Sequence, residues 1–438
     1  MSLNFDIQII DGSSKSGLKA FERLIARSFE EQTEAAEAAL AIIREVRERG
    51  DEALFSYTEK FDRAVVDEKT VKVTQKEIKE ARKSANPEFI RILNRSIERV
   101  RDFHNRHKAE GWFEPFPGGE LMGRIVRPLE RVGAYVPGGK ALYPSSVVMN
   151  VIPAVCAGVP EIIICTPPAP DGRVDPKVLA AADLCGVSAV YKAGGAQAVA
   201  AMAYGTKSIP RVDKIVGPGN IYVATAKRLV YGAVDIDSVA GPSEILIIAD
   251  SSAKAKFAAA DMLSQAEHDE MAGSVLITPS KKLAESVREA LSSQLKKLPR
   301  RAIAQTALKN RGAIVITEDL SQAAELANLA APEHLELCVE EPFDLLPAIK
   351  NAGAIFLGHF TPEPLGDYMA GPNHVLPTGG TARFFSPLSA DDFVKKSSVL
   401  CFNRAAFAEI AADCARFAEE EGLQAHANAV YVRLKDKR

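Results

Sequence analysis

Two stretches of the chain alternate short apolar runs with segments of helical period. The first starts near residue 128. RVGAYVPGG is followed by a helix through VVMNVIPAVCAGV, then EIIICTPPAP, a helix through DPKVLAAADLCGV, and AVYKAGG; KIVGPGN and the helical IYVATAKRLVYG close the series. The second starts near residue 241. It runs EILIIAD, a helix over 252–267, SVLITPS, a helix over 281–297, GAIVITED, a helix over 319–330, HLELCVE and GAIFLGH. Continuous apolar strands separated by helices predict parallel sheets covered on both faces. Upstream, residues 30–109 read as helical, with one helix stopping at Gly50 and an amphipathic one starting near Asn86. His104 and His107 lie on the polar end of that helix and read as part of a solvated face. Residues 360–390 are rich in loop formers, and a helix from Arg404 through Glu420 precedes a short tail. No internal sequence repeat is visible, although the two α/β series could share a structural plan.

Composition narrows the class. A chain of 438 residues with 47% hydrophobic and 25% charged residues is long enough for two or more domains with a large core. The formal charge of −3, without a Lys/Arg block, argues against a nucleic-acid or anionic-membrane partner. No apolar run reaches the roughly 20 residues that span a bilayer. The N-terminus MSLNFDIQII lacks a basic segment followed by an apolar one, and its first residues read as a possible cloning remnant. A cytoplasmic location is therefore expected. The six cysteines (Cys156, Cys165, Cys185, Cys338, Cys401 and Cys414) form no C-x-x-C pair and are expected to be buried thiols. A metal would have to be held by His, carboxylate and amide groups.

Candidate chemistry clusters around histidine, of which the chain has seven. Gln265 and His268 are three residues apart at a predicted helix end and can share one face. They could hold a metal, but alone the pair reads as a helix-terminal polar face exposed to water. Asp367 and His374 occupy a loop shaped by Pro364, Gly366, Gly371 and Pro372, and offer a carboxylate ligand and a donor to an anion. Glu333 and His334 adjoin at the start of an apolar strand, and, buried, could divide proton transfer. Glu421 and His426 flank a glycine turn after the Arg404–Glu420 helix. GGAQA (194–198) and GPGN (217–220) follow strands and open helices, where exposed N–H groups can hold phosphate; neither is a G-x-G-x-x-G fingerprint.

These segments together resemble the histidinol dehydrogenase family. RVGAYVPGGKALYPSSVVMN, YKAGGAQAVAAMAYGT, VDKIVGPGN, AGPSEILIIAD, LSQAEHD, APEHLEL, GDYMAGPNHVLPT, SPLSADDFVKKSSV and EGLQAHANAV occur in the family's order from about residue 30 to the C-terminus. The resemblance implies an α/β fold of two incomplete Rossmann-like domains with parallel sheets, plus small N- and C-terminal domains, in an intertwined homodimer. It implies an N-terminal arm (1–27), a first Rossmann-like domain (28–127 and 241–383) carrying most of the site, an NAD-binding domain (128–240) and a C-terminal dimerisation domain (384–438). The implied activity is zinc- and NAD-dependent oxidation of L-histidinol to L-histidine through the aldehyde, in histidine biosynthesis.

Carried over residue by residue, the resemblance gives one zinc ion per subunit, held by Gln265, His268, Asp367 and His426, the last from the partner subunit. Glu333 and His334 are the implied proton-transfer pair. Substrate would meet Ser243, His334, His374 and Glu421 as well as the zinc ligands, with Glu421 also crossing the dimer interface toward an ammonium group. Tyr135, Gln197 and Asn220 match NAD-contacting positions. Two other readings stand beside this one: a relative acting on another polyol such as a sulfopropanediol, and a zinc hydrolase in which Glu333 activates water.

Overall fold

The protein was analysed as a computed structural model that describes residues 6–26, 32–106, 108–138, 143–239 and 241–436, with only the backbone of residues 32 and 33. The first five residues, His107, residues 139–142 of the VPGGKAL segment, and Ala240 lie outside the described residues. The chain divides into two units, residues 1–106 with 130–393, and residues 107–129 with 394–438.

Three sheets organise the described residues. Strand β1 (Ile9–Asp11) edges the largest; β2 (Trp112–Pro115) and β3 (Glu120–Pro128) form an antiparallel pair. Strands β4 (Arg131–Tyr135), β5 (Glu161–Thr166), β6 (Ala189–Lys192), β7 (Lys214–Val216) and β8 (Asp235–Ile236) make a five-stranded parallel sheet of order β6-β5-β4-β7-β8. Strands β9 (Glu244–Ala249), β10 (Gly273–Thr278), β11 (Gly312–Ile316), β12 (His334–Cys338) and β13 (Ala354–Leu357) join β1 in a six-stranded sheet of order β1-β11-β10-β9-β12-β13. Finally, β14 (Val394–Phe402) pairs with β3 along nine residues, from Val394 opposite Pro128 to Phe402 opposite Glu120.

The expected mixed α/β fold with parallel sheets is what forms, and the shared plan is explicit. Counted from β4 in one sheet and from β9 in the other, both parallel sheets have the doubly wound order 3-2-1-4-5, reversing between the first and fourth of these strands, with β1 added at the β11 edge of the second. The continuous apolar runs follow from burial on both faces. Ile245, Ile247 and Ala249 enter one core cluster with the Ala255–Ala266, Lys281–Leu295 and Arg301–Arg311 helices. Leu246 and Ile248 enter another with the Leu320–Ala330 helix. The period of two is thus hidden, since either side of the strand must be apolar.

Four features differ from expectation. The Gln32–Arg49 and Asp51–Asp62 helices, which meet at Gly50, share a core with the five-stranded sheet through Ile42, Val46 and Leu54 against Ile163 and Ile215. The sequence reading had grouped them with residues 241–383. The three-stranded antiparallel sheet went unforeseen because β2 and β14 are mostly exposed and β3 mostly half-buried, so no apolar face marks it. His104 is buried at 1% exposure, because it faces inward at the end of the amphipathic Pro87–Asn105 helix. Four cysteines are buried, but Cys401 and Cys414 are exposed, on β14 and the Arg404–Glu420 helix. No helix among the described residues is long and apolar enough to cross a membrane.

Candidate active site

The residues singled out in the sequence converge on the N-terminal edge of the six-stranded sheet. His334 opens β12 opposite Ile245 of β9, at the position where strand order reverses. The helix after β9 runs back across the sheet, so its end, carrying Gln265 and His268, returns to the edge where the chain re-enters at Gly273 beside Glu244. Ser243 precedes β9 at the same edge, and its carbonyl accepts the Gly273 N–H at 3.0 Å. Ligands of doubly wound sheets ordinarily bind beyond the C-terminal ends of the strands; this cluster occupies the opposite edge.

The backbone of Glu244 fixes the acid–base pair. Its N–H donates to Glu333 Oε2 at 2.9 Å, and its carbonyl oxygen lies 3.0 Å from His334 Nδ1. A carbonyl can only accept, so Nδ1 carries the imidazole proton and Nε2 presents a lone pair. The Glu244 side chain is itself held, with Oε1 accepting the Gly379 N–H at 2.9 Å. Glu333 Oε2 lies 3.7 Å from His334 Nδ1, and both residues are buried. Burial pushes the Glu333 carboxyl well above its ordinary range and lowers the His334 imidazole to about 4. His334 is thus neutral, with Nε2 free to accept a proton.

Around this pair stand the remaining polar groups. His374 Nδ1 is 3.6 Å from Asp367 Oδ1. Burial pushes the Asp367 carboxyl up, but His374, His334 and His268 together hold it below its ordinary value. Gln265 Nε2 and His268 Nδ1 are 3.3 Å apart, and Gln265 Oε1 is buried without a hydrogen-bond partner. Glu363, on the short Glu363–Tyr368 helix, places Oε1 3.9 Å from His334 Nε2. Donor atoms of His334, Glu363 and Asp367 all fall within 4.8 Å of one another, a spacing that a single cation can bridge. An amide oxygen without a partner among the described residues, beside imidazole and carboxylate donors, fits a divalent metal of the zinc type, and of the three clustered residues only Asp367 is a ligand the resemblance implies.

A chain of buried acids backs the site, and sequence reasoning missed it. Glu336 Oε1 accepts the Glu363 N–H at 2.8 Å, Asp261 shares a proton with Glu336, and the Ser264 hydroxyl lies 3.3 Å from Glu363 Oε2. Burial, then Asp261, raises Glu336 to about 8; burial, then Asp367, raises Glu363 to about 9. Signals existed: Glu336 is a lone charge inside the apolar HLELC run, and Glu363 stands four residues before Asp367 on one helical face.

The other expected residues lie elsewhere. Tyr135, Gln197 and Asn220 gather at the C-terminal edge of the five-stranded sheet, at the ends of β4, β6 and β7. The Tyr135 hydroxyl accepts the Gly195 N–H at 3.1 Å. Gln197 is fully buried with neither amide atom bonded among the described residues. Asn220 caps the Ile221–Val230 helix, accepting the Tyr222 and Val223 N–H groups. Gly217, at φ +108, carries the turn after β7 against Tyr135, where a Cβ would lie 2.2 Å from the Tyr135 carbonyl oxygen. Glu421 and His426 belong to the second unit, Glu421 as the cap of the Arg404–Glu420 helix and His426 in the Gln424–Lys435 helix, and both are exposed.

Comparison with known proteins agrees with this arrangement. The histidinol dehydrogenase family profile matches residues 25–434. The chain is 54% identical over 416 residues to the histidinol dehydrogenase of Geobacter sulfurreducens, covering 95% of this chain and 97% of that protein. It is 52% identical over 429 residues to that of Clostridium acetobutylicum, covering 98% and 99%. The crystal structure of the Elizabethkingia anophelis histidinol dehydrogenase superposes with a TM-score of 0.92 at 37% identity, covering 98% of each chain. Fold and site therefore define an α/β oxidoreductase with a buried imidazole–carboxyl pair. More particularly, the chain belongs to the histidinol dehydrogenase family.

The acid chain has a consequence for stability. A carboxyl whose folded value is raised stabilises fully below its unfolded value, and that contribution is lost as pH rises through the folded value. For Glu336 the window runs from about 4.5 to about 8. Glu336→Gln is expected to shrink the fall in melting temperature between pH 5 and pH 8; an unchanged fall would contradict the buried, protonated carboxyl.

Proposed function

We propose that this protein oxidises L-histidinol to L-histidine in two NAD-dependent steps through the aldehyde, with one zinc ion per subunit, as a cytoplasmic homodimer in histidine biosynthesis. The observation that carries this reading is His334, buried, neutral and fixed with Nε2 free, beside the buried carboxyl of Glu333. Family membership supports it at the level of the whole chain.

Gln265, His268 and Asp367 would hold the zinc together with His426 of the partner subunit; the bound ion would anchor the imidazole and amine nitrogens of the substrate. His334 Nε2 takes the hydroxyl proton as hydride leaves the carbinol carbon, and NAD supplies the hydride acceptor. Glu333, its carboxyl raised by burial, in its ionised form takes a proton from the water that adds to the aldehyde while the His334 imidazolium returns its proton to the carbonyl oxygen, giving a hydrate for the second oxidation. Ser243, His374 and Glu421 would complete the substrate contacts, Glu421 facing the ammonium group from across the dimer. Tyr135, Gln197 and Asn220 would meet the dinucleotide, and the unbonded buried amide of Gln197 fits a ligand there.

Two features of the second unit favour the shared site. Glu421 and His426 are exposed, and so are the apolar Leu400, Phe417 and Val432, at 67%, 69% and 50%. Large apolar side chains exposed on one small unit suit an interface.

Zinc-loaded protein with excess NAD+ is expected to form two NADH per L-histidinol, and chelation to abolish both. One NADH per substrate, or faster reduction with dihydroxypropanesulfonate, would overturn the assignment. Glu333→Gln should slow the second oxidation by about 10²–10⁴, so that a carbonyl trap captures the aldehyde; unchanged histidine formation would remove Glu333 from that role.

A further inference from the structure

Asp62 ends the Asp51–Asp62 helix against the turn after β6. The Gly194 N–H donates to its carboxylate, while Oδ2 is buried without a partner among the described residues. A Cβ built on Gly194 would lie 2.6 Å from the Pro167 Cβ and 3.2 Å from Asp62 Oδ2. On Gly195, at φ +62, a Cβ would lie 2.5 Å from Gln197 Oε1. Two successive bare glycines are thus bracketed by a carboxylate oxygen and a primary amide, and between them Asp62 and Gln197 leave three buried polar atoms unbonded. Tyr135, whose hydroxyl accepts from Gly195, also feels the Asp62 charge. Buried atoms of this kind are costly when unsatisfied, so the cluster fits a polar ligand.

Position says which part of a dinucleotide that is. In a 3-2-1-4-5 sheet the adenosine half lies over the first three strands, here β4, β5 and β6. Pro167 follows β5 and Gly194 follows β6, so the cluster stands over that half. An acid at the end of the second strand ordinarily receives the ribose. Here β5 ends Cys165-Thr166-Pro167 and supplies none. Burial pushes the Asp62 carboxyl up to about 6, leaving it ionised at neutral pH.

We propose that Asp62 is the ribose-binding carboxylate of the cofactor pocket. Its free Oδ2 accepts the adenosine 2′-hydroxyl, the Gln197 amide completes the polar wall, and the negative charge bars a 2′-phosphate. This rests on the dinucleotide reading above.

The test is calorimetric titration of zinc-loaded, full-length protein with NAD+, NADP+ and 2′-deoxy-NAD+. Wild-type protein should bind NAD+ and bind the deoxy analogue roughly tenfold more weakly, as expected for one lost bond to a charged group. Asp62→Asn should weaken NAD+ by a similar factor, leave 2′-deoxy-NAD+ unaffected and narrow the gap to NADP+, with KM for NAD+ raised and kcat within about twofold. Equal wild-type affinity for NAD+ and its deoxy analogue would overturn the role of Asp62, and needs no variant to fold. So would NAD+ affinity unchanged in an Asp62→Asn protein that melts as wild type does. No NAD+ binding by wild-type protein would overturn the dinucleotide reading itself.

Discussion

The backbone of Glu244 holds both proton-handling groups of the site, donating its N–H to Glu333 and receiving the His334 Nδ1–H at its carbonyl. Because these partners are main-chain atoms of a central strand, substitution does not remove them and the sheet does not let them rotate. Register does the rest: β12 is locked to β9 from His334 opposite Ile245 to Cys338 opposite Ala249. A one-residue slip would turn His334 to the other face and unmake the pair. Burial then sets the protonation states, with the imidazole neutral and the carboxyl raised, before any substrate is present.

The same strand order serves two ends. In the five-stranded sheet the reversal of strand order falls in the usual place, with glycine turns and helix N-termini at the C-terminal edge, where doubly wound sheets ordinarily take their ligands. In the six-stranded sheet the polar cluster is at the N-terminal edge, where the returning Ala255–Ala266 helix delivers Gln265 and His268. Glu336 and Glu363 extend this edge into the interior as protonated carboxyls, so His334 and Asp367 stand on a neutral hydrogen-bonded floor instead of facing like charges. Neutral acids at such positions avoid the cost of buried unpaired charge.

The parallel sheets were legible because burial on two faces forces continuous apolar runs such as EILIIA and HLELC. Glu333, His334, Asp367 and the Gln265–His268 pair were legible through short polar motifs. The β2, β3 and β14 sheet was not, since VKKSSVLCF carries lysines and serines with no buried face to impose alternation. The Arg301–Arg311 helix, amphipathic but unmarked by a side-chain cap, was also missed. Asp62 escaped because its meaning depends on a helix packing on a sheet that starts some seventy residues later; local pattern carries no trace of that contact.

Nitrogen NMR of ¹⁵N-histidine-labelled protein reads directly whether His334 is neutral with Nε2 unprotonated. In metal-free protein, with the signal assigned through His334→Asn, a proton on Nδ1, a free Nε2 and titration at about 4 are expected. An Nε2-protonated tautomer, or titration near the ordinary histidine value of about 6.5, would contradict that state.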